Sequence, residues 1–480
     1  MTHRHGIPTA AASIFVIGIA ILALSYQSPG PILVAVSLGG VVALLFRMAP
    51  RLDPLVAQAF LLSFALGTFW SGIAAIYANQ FDDPGQIFSD AAYFHEIVKA
   101  FVRGDIELAN MPSSEQIGPV ALWSLTYKLF GLLGLGPSRY IGIAVNTLCV
   151  ALAASCGAGA MSAIFADPRR TKTFIYLFAC FPMAWLFSAV FLRDAFILLI
   201  LVGYMSMAIF VVSRSKLPWT IALIVVTGMF AYLSGVFRHE LPVTFVAMLL
   251  AAGAAMIWRS FGSEVAGRLR WAGGALLLTA AVFMPTVLSN VIYFQQTSSE
   301  TYAELAHQEV QAALATSAPS SAPLVAQEHI SLGLSLVVQQ PIYIRALVGP
   351  PYLWLFPIPA WAGLGSGQVY HLFKSLNALY MALLIPAFLT AAFIVRRRRT
   401  DPSGTLLFCF FCTVGFTLMI AISSLETRHL ASFLPFAFFL VASMDWSAQG
   451  NRLLLRRFAI VSWIGLVAVY LAWLILKAIL

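Results

Sequence analysis

Three very short turns set an arginine beside an acid at the edge of apolar runs: Arg193-Asp194, Arg238-His239-Glu240 and Glu426-Thr427-Arg428-His429. So little chain surrounds each turn that its charges must sit at a helix end, facing either headgroups or a protein cavity. For one isolated turn the bland reading is interfacial anchoring by snorkelling. Three turns of the same make-up favour a shared polar cavity, because ionisable groups at membrane depth usually face the bundle interior. Arginine is also the side chain best shaped to grip a phosphate through two hydrogen bonds.

A denser cluster lies earlier in the chain, with Asp82 and Asp83 followed by Ser89, Asp90, Tyr93, His95, Glu96, Lys99 and Arg103. From Asp90 to Arg103 the apolar residues Ala92, Phe94, Ile97, Val98, Phe101 and Val102 recur at helical spacing. This pattern predicts a short amphipathic helix lying on a membrane surface. Asp90 falls near its start, where the helix dipole favours a carboxylate. It either caps that helix or works as a general base at the membrane surface.

Together the two sets suit one kind of chemistry. A lipid phosphate or pyrophosphate is held by arginines while its tail stays in the bilayer. A carboxylate deprotonates an incoming hydroxyl, which attacks the sugar carbon bearing the phosphate. Arginine and histidine stabilise the charge growing on the leaving phosphate. The chain carries no nucleotide-binding glycine loop, no GxSxG elbow and no HExxH motif. Asp82, Asp83 and Asp90 can also bind a divalent cation through oxygen, which leaves metal dependence open.

The elements that must position these groups follow from composition. Of 480 residues 60% are hydrophobic and 10% charged, against the roughly 25% charged that a water-covered surface needs. Lipid therefore covers most of the protein. Apolar stretches near the roughly 20-residue spanning length recur at 9–26, 31–47, 55–77, 140–163, 172–190, 194–213, 217–236, 241–258, 271–293, 370–394, 404–424, 430–445 and 458–478. The expected fold is an all-α, polytopic transmembrane bundle of about thirteen spans, a single integral membrane domain over 1–480 with no separate soluble domain. The first run lacks a small-residue cleavage site and is read as a retained span.

Charge supports this threading. With the N-terminus cytoplasmic, most of the 28 Lys and Arg residues fall in cytoplasmic turns, the Arg396–Arg399 run among them, as the positive-inside rule expects. The net charge of +9 is thus topogenic, and nucleic acid is not an expected partner. Most of the 19 acids fall on the outer side, although acids were not used to set the topology. The five cysteines all lie in apolar runs and indicate neither a disulfide framework nor a metal site. Two outer loops are long, 78–139 and 294–369. Within the first, 118–136 is apolar enough to span, but a span there would invert every later turn. It is read as an interfacial or re-entrant helix, with Trp123, Tyr127 and Lys128 at headgroup level.

The sequence resembles the GT-C superfamily of integral-membrane glycosyltransferases. Ser89-Asp90-Ala91-Ala92-Tyr93-Phe94 is similar to the start of the acidic loop helix in bacterial members, and Phe191-Leu192-Arg193-Asp194-Ala195 and Arg428-His429-Leu430 with Pro435 are similar to patterns in polysaccharide-cluster membrane proteins. The resemblance implies a GT-C-like bundle with surface helices in the first outer loop, in a bacterial-type cytoplasmic (inner) membrane with its site on the periplasmic face. It implies Asp90 as catalytic base, with Asp82 and Asp83 as rivals. Arg193, Arg238 and Arg428 would bind donor phosphate, and Tyr93, His95, Glu96, Asp194, His239, Glu240 and His429 would line the substrate. The implied reaction moves a sugar, with inversion, from a polyprenyl-phosphate donor to a cell-envelope glycan or lipid acceptor.

The chain also resembles O-antigen-polymerase-like proteins, which would take polyprenyl-pyrophosphate oligosaccharides. A reading of another class is a transporter or flippase for a lipid-linked solute. That reading expects charges at mid-membrane and glycine- or proline-broken helices; here the charges cluster at helix ends, while Pro182 and Pro285 leave room for breaks.

Overall fold

The structure is a computed structural model that describes all residues except 1–5, 27, 50–52, 81–88, 108–115, 215, 239, 262–265, 284, 286–340, 357–359, 362, 365–368, 398–402, 424 and 480. Among the described residues there is no strand. Among the described residues the long apolar stretches are helical, the form that satisfies its own backbone where lipid offers no partners.

The chain begins with α1 (Gly6–Tyr26), α2 (Gly30–Met48) and α3 (Pro54–Gln80), followed by the shorter α4 (Ser89–Arg103) and α5 (Ile117–Gly131). Next come α6 (Arg139–Ile164), α7 (Pro168–Ala179), α8 (Pro182–Ala189), α9 (Asp194–Arg214), α10 (Leu217–Ser234) and α11 (Leu241–Ser260). A helical stretch over 266–283, α12, precedes α13 (Ile342–Leu355). The chain ends in α14 (Val369–Arg397), α15 (Ser403–Ile422), α16 (Thr427–Ala431), α17 (Leu434–Ala442) and α18 (Gln449–Ile479).

Nine helices among the described residues are long and apolar enough to cross a membrane, and the bent pair α7–α8 makes a tenth. The expected count of thirteen differs in three places. Residues 217–236 give an apolar helix of only 17 residues, Pro218–Ser234. The stretch 271–293 leaves the described residues after 285. The stretch 430–445 is broken into α16 and α17. Every residue of α17 is buried, and at 1.5 Å per residue its nine residues reach only about 13 Å. Its apolar composition comes from burial inside the protein, where a spanning helix would owe it to lipid.

The amphipathic helix expected from Asp90 to Arg103 is α4, and the apolar stretch from 118 is α5, packed against it. The centre of the bundle is α6, which packs on α3, α9 and α8. Ser71 on α3 and Thr147 on α6 each donate to the Ser188 carbonyl, both at 3.1 Å, and so fix α8 between them. The chain bends by 55° between α7 and α8, where Pro182 opens α8 and interrupts the ladder. The Leu177 and Ala179 carbonyls there accept from Tyr380 Oη at 2.8 Å and Trp185 Nε1 at 2.6 Å.

On α6, Gly142 makes room for an aromatic ring from the turn between α8 and α9. A Cβ there would lie 1.6 Å from the Phe191 ring. Its absence lets Phe191 seat on α6 and stack on Trp123 of α5, with ring centroids 4.2 Å apart.

Candidate functional site

The turn between α8 and α9 is held from beneath by a buried asparagine. Asn146 Nδ2 donates to the Val190 and Leu192 carbonyls at 2.9 and 2.8 Å, and its Oδ1 accepts from Trp123 Nε1 at 3.1 Å. These bonds, with the Phe191–Trp123 stack, fix the point at which Arg193 and Asp194 leave the turn. The turn after α10 is tied to α5, with Gly118 N donating to the Val236 carbonyl at 3.0 Å. It delivers Arg238 and Glu240 into α11. After α15, Leu425 adopts a positive φ of 51°, a conformation a leucine holds only when its surroundings impose it. Leu425 is buried, and its N–H returns to the Ile420 carbonyl at 2.9 Å. The reversal points the chain into Glu426 and α16.

These turns meet the first turn of α4 around a cavity of about 140 Å³ lined by Asp90, Tyr93, Phe94, Gln116, Leu192, Arg193, Asp194, Arg238, Arg428 and His429. Turns that the charge pattern of the sequence expects on one side of a membrane thus line one cavity. Two arginines organise the wall. Arg428 donates from Nε to Glu426 Oε2 at 2.8 Å and from Nη1 to Asp90 Oδ2 at 3.1 Å. Arg238 donates from Nε to Glu240 Oε2 at 3.0 Å, and its Nη1 stands 3.7 Å from Asp194 Oδ1. Arg238 Nη2 also donates to His429 Nε2. Each guanidinium is gripped at its Nε edge by a glutamate two positions away, and its terminal nitrogens face the cavity residues. Tyr370 Oη closes one of these grips by donating to Glu426 Oε1 at 2.7 Å.

The electrostatics agree with the geometry. Burial opposes ionisation of Glu426, yet Arg428, Lys374 and the Tyr370 hydroxyl hold its carboxyl well below the usual carboxylate range. Burial likewise opposes the charge on Arg428, and Glu426, Asp194, Tyr370 and Asp90 more than offset it. His429 is pushed well below the ordinary histidine value by burial and by Arg238. It is therefore neutral near pH 7, as a ring nitrogen accepting from arginine must be. The site thus presents three arginine cations, a neutral imidazole and two aspartate carboxylates, of which Asp90 has a side chain 48% exposed. Such a wall has the donors to meet an anionic oxygen and a proton acceptor beside them.

Of the residues singled out in sequence, Asp90, Tyr93, Arg193, Asp194, Arg238, Arg428 and His429 line the cavity, and Glu240 stands behind it. His95 and Glu96 do not reach it. At 100° per residue, Tyr93 and Phe94 fall within about 60° of Asp90 on α4, while His95 and Glu96 lie about 120–140° away. His95 is buried against Tyr127, with Nδ1 and Oη 2.9 Å apart, and Glu96 pairs with Lys99 at 2.8 Å on the exposed side. Asp82, Asp83 and His239 lie outside the described residues. Among the described residues no three His, Cys, Asp or Glu side chains are grouped to hold a metal ion, and Asp90 alone of the expected cation set is described.

Gln116 and Tyr370 are not signalled in the sequence as site residues, and Glu426 is named there only as the acid of the turn that carries Arg428. The Glu-x-Arg spacing of 426 and 428 also matches the grip of the carboxylate on Arg428 Nε. Tyr370 and Gln116 arrive by long-range packing. Compared with known proteins, the chain matches no family model and none of the curated sequences searched.

Proposed function

We propose that this chain is a membrane glycosyltransferase that moves a sugar from a polyprenyl-phosphate donor to a hydroxyl acceptor. The observation that carries the reading is the contact of Asp90 with Arg428 beside Arg238 in one cavity. Taking about 10–15 Å³ per water-sized probe, a cavity of about 140 Å³ suits a phosphate group, with the lipid tail left in the bilayer. The donor phosphate takes over the terminal nitrogens of Arg428 and Arg238, and Asp90 is released from its pair. Asp90 then accepts the acceptor's hydroxyl proton as the acceptor oxygen bonds to the anomeric carbon. The bond from that carbon to the phosphate oxygen breaks, and the lipid phosphate leaves with the electron pair, its charge met by the arginines. This single displacement inverts the anomeric centre.

The reading includes a GT-C-like architecture, with the site on the outer face of a bacterial-type cytoplasmic membrane. The sidedness rests on the basic clusters that flank the opposite helix ends. Native mass spectrometry of the protein in mild detergent tests the donor class. Co-purified polyprenyl monophosphate, bare or carrying one sugar, supports it. Polyprenyl pyrophosphate bearing an oligosaccharide moves the assignment to a polymerase. Full transfer activity in both Asp90→Asn and Arg238→Ala sinks the site assignment.

A further inference from the structure

We infer that Glu426 and Tyr370 are positioning residues that set Arg428 for the anionic oxygen of the ligand; this rests on the reading that Arg428 takes the donor phosphate. An arginine at a turn has many rotamers, and a carboxylate two residues earlier does not by itself select one. Here the carboxylate is fixed independently. Tyr370, on the first turn of α14, is buried and donates to Glu426 Oε1, which leaves Oε2 aimed at Arg428 Nε. Tyr370 and Glu426 are 56 positions apart, so the grip joins α14 to the turn that carries Arg428.

Two further features hold the relay in place. Lys374, one turn along α14, lies over the Tyr370 ring at 4.7 Å and the Phe356 ring at 5.0 Å, which seats the tyrosine. The strained Leu425 immediately before Glu426 fixes the backbone. Occupying Nε from behind leaves Nη1 pointing at Asp90, where an anionic ligand oxygen would arrive. Pre-organising the guanidinium in this way removes rotamer entropy that binding would otherwise have to overcome.

The test is calorimetric titration of farnesyl monophosphate into the purified full-length protein in detergent, with thermal midpoints recorded for every variant. Arg428→Ala and Glu426→Gln should each weaken binding about tenfold or more, the scale of one lost charge-assisted hydrogen bond. Tyr370→Phe should weaken it several-fold, with its thermal midpoint close to wild type. In the Arg428→Ala background neither second change should weaken binding further, since nothing remains to be positioned. Wild-type affinity in both Glu426→Gln and Tyr370→Phe, with Arg428→Ala weak, overturns the positioning role and leaves the phosphate reading standing. Equal losses with and without Arg428 assign both residues to the fold and also overturn it. Wild-type affinity in Arg428→Ala and Arg238→Ala overturns the phosphate reading itself. If Glu426→Gln fails to fold, the Tyr370→Phe pair of measurements decides alone.

Discussion

Asp90 and Arg428 stand 338 positions apart in sequence, and Asp90 Oδ2 and Arg428 Nη1 are 3.1 Å apart in the fold. With Arg428 mostly shielded and Asp90 half exposed, the pair is a poor stabiliser, since such contacts contribute about 0–1 kcal/mol. Its interest lies in what each partner does when the other is displaced.

Asp90→Asn should therefore leave stability nearly unchanged while removing the proposed base. The expected loss in kcat is about 10²–10⁴-fold, the usual contribution of a general base, with donor affinity retained. Single-turnover transfer with a polyprenyl-phosphate sugar checks it, alongside a thermal melt showing an unchanged midpoint.

Asn146→Leu should destabilise by about 1–3 kcal/mol, because the buried Trp123 Nε1 and the Val190 and Leu192 carbonyls would lose their partner. Since the same bonds aim the Arg193–Asp194 turn, phosphate affinity should fall as well. Denaturant titration in detergent micelles and ligand titration measure the two effects separately.

Gly142→Ala should cost about 1–3 kcal/mol through overpacking, since the new methyl would overlap the Phe191 ring. Phe191→Leu placed on top should recover part of that loss, although alone it destabilises by removing the stack on Trp123. A double-mutant cycle on thermal midpoints would show the coupling, and strict additivity would refute it.

His95 gives a pH signature distinct from that of the cavity. Burial, with Arg139 and Lys99 nearby, pushes its pKa from 6.5 down to about 4. The unfolded chain therefore takes up the proton first as pH falls below 6.5. Stability contributed by His95 is complete above pH 6.5, falls as pH drops toward 4, and levels off below. The slope of stability against pH over that window should diminish in His95→Gln relative to wild type.

Much of this site was legible before the fold. The helical period over Asp90–Arg103 gave α4, and the positive-inside pattern put the turns at 193, 238 and 428 on one side. Their convergence on a single cavity followed from that sidedness plus the shortness of the turns. His95 and Glu96 were drawn in by closeness along the chain, although the helical period alone sets them off the Asp90 face. Tyr370 left no mark, because a tyrosine opening an apolar helix looks the same whether its hydroxyl meets headgroups or a glutamate 56 positions on. The stretch 430–445 misled for a related reason: protein interior and lipid select the same residue types, so composition could not tell α17 from a span.

Leucine at position 425, where the backbone favours glycine, has a mechanical consequence. The side chain is buried in the core and the N–H is tied back into α15, so Leu425 is held through both its side chain and its backbone. The end of α15 is therefore coupled to the residue immediately before Glu426. A displacement at the end of α15 would thus be felt first at the Glu426 carboxylate, and through it at the guanidinium of Arg428.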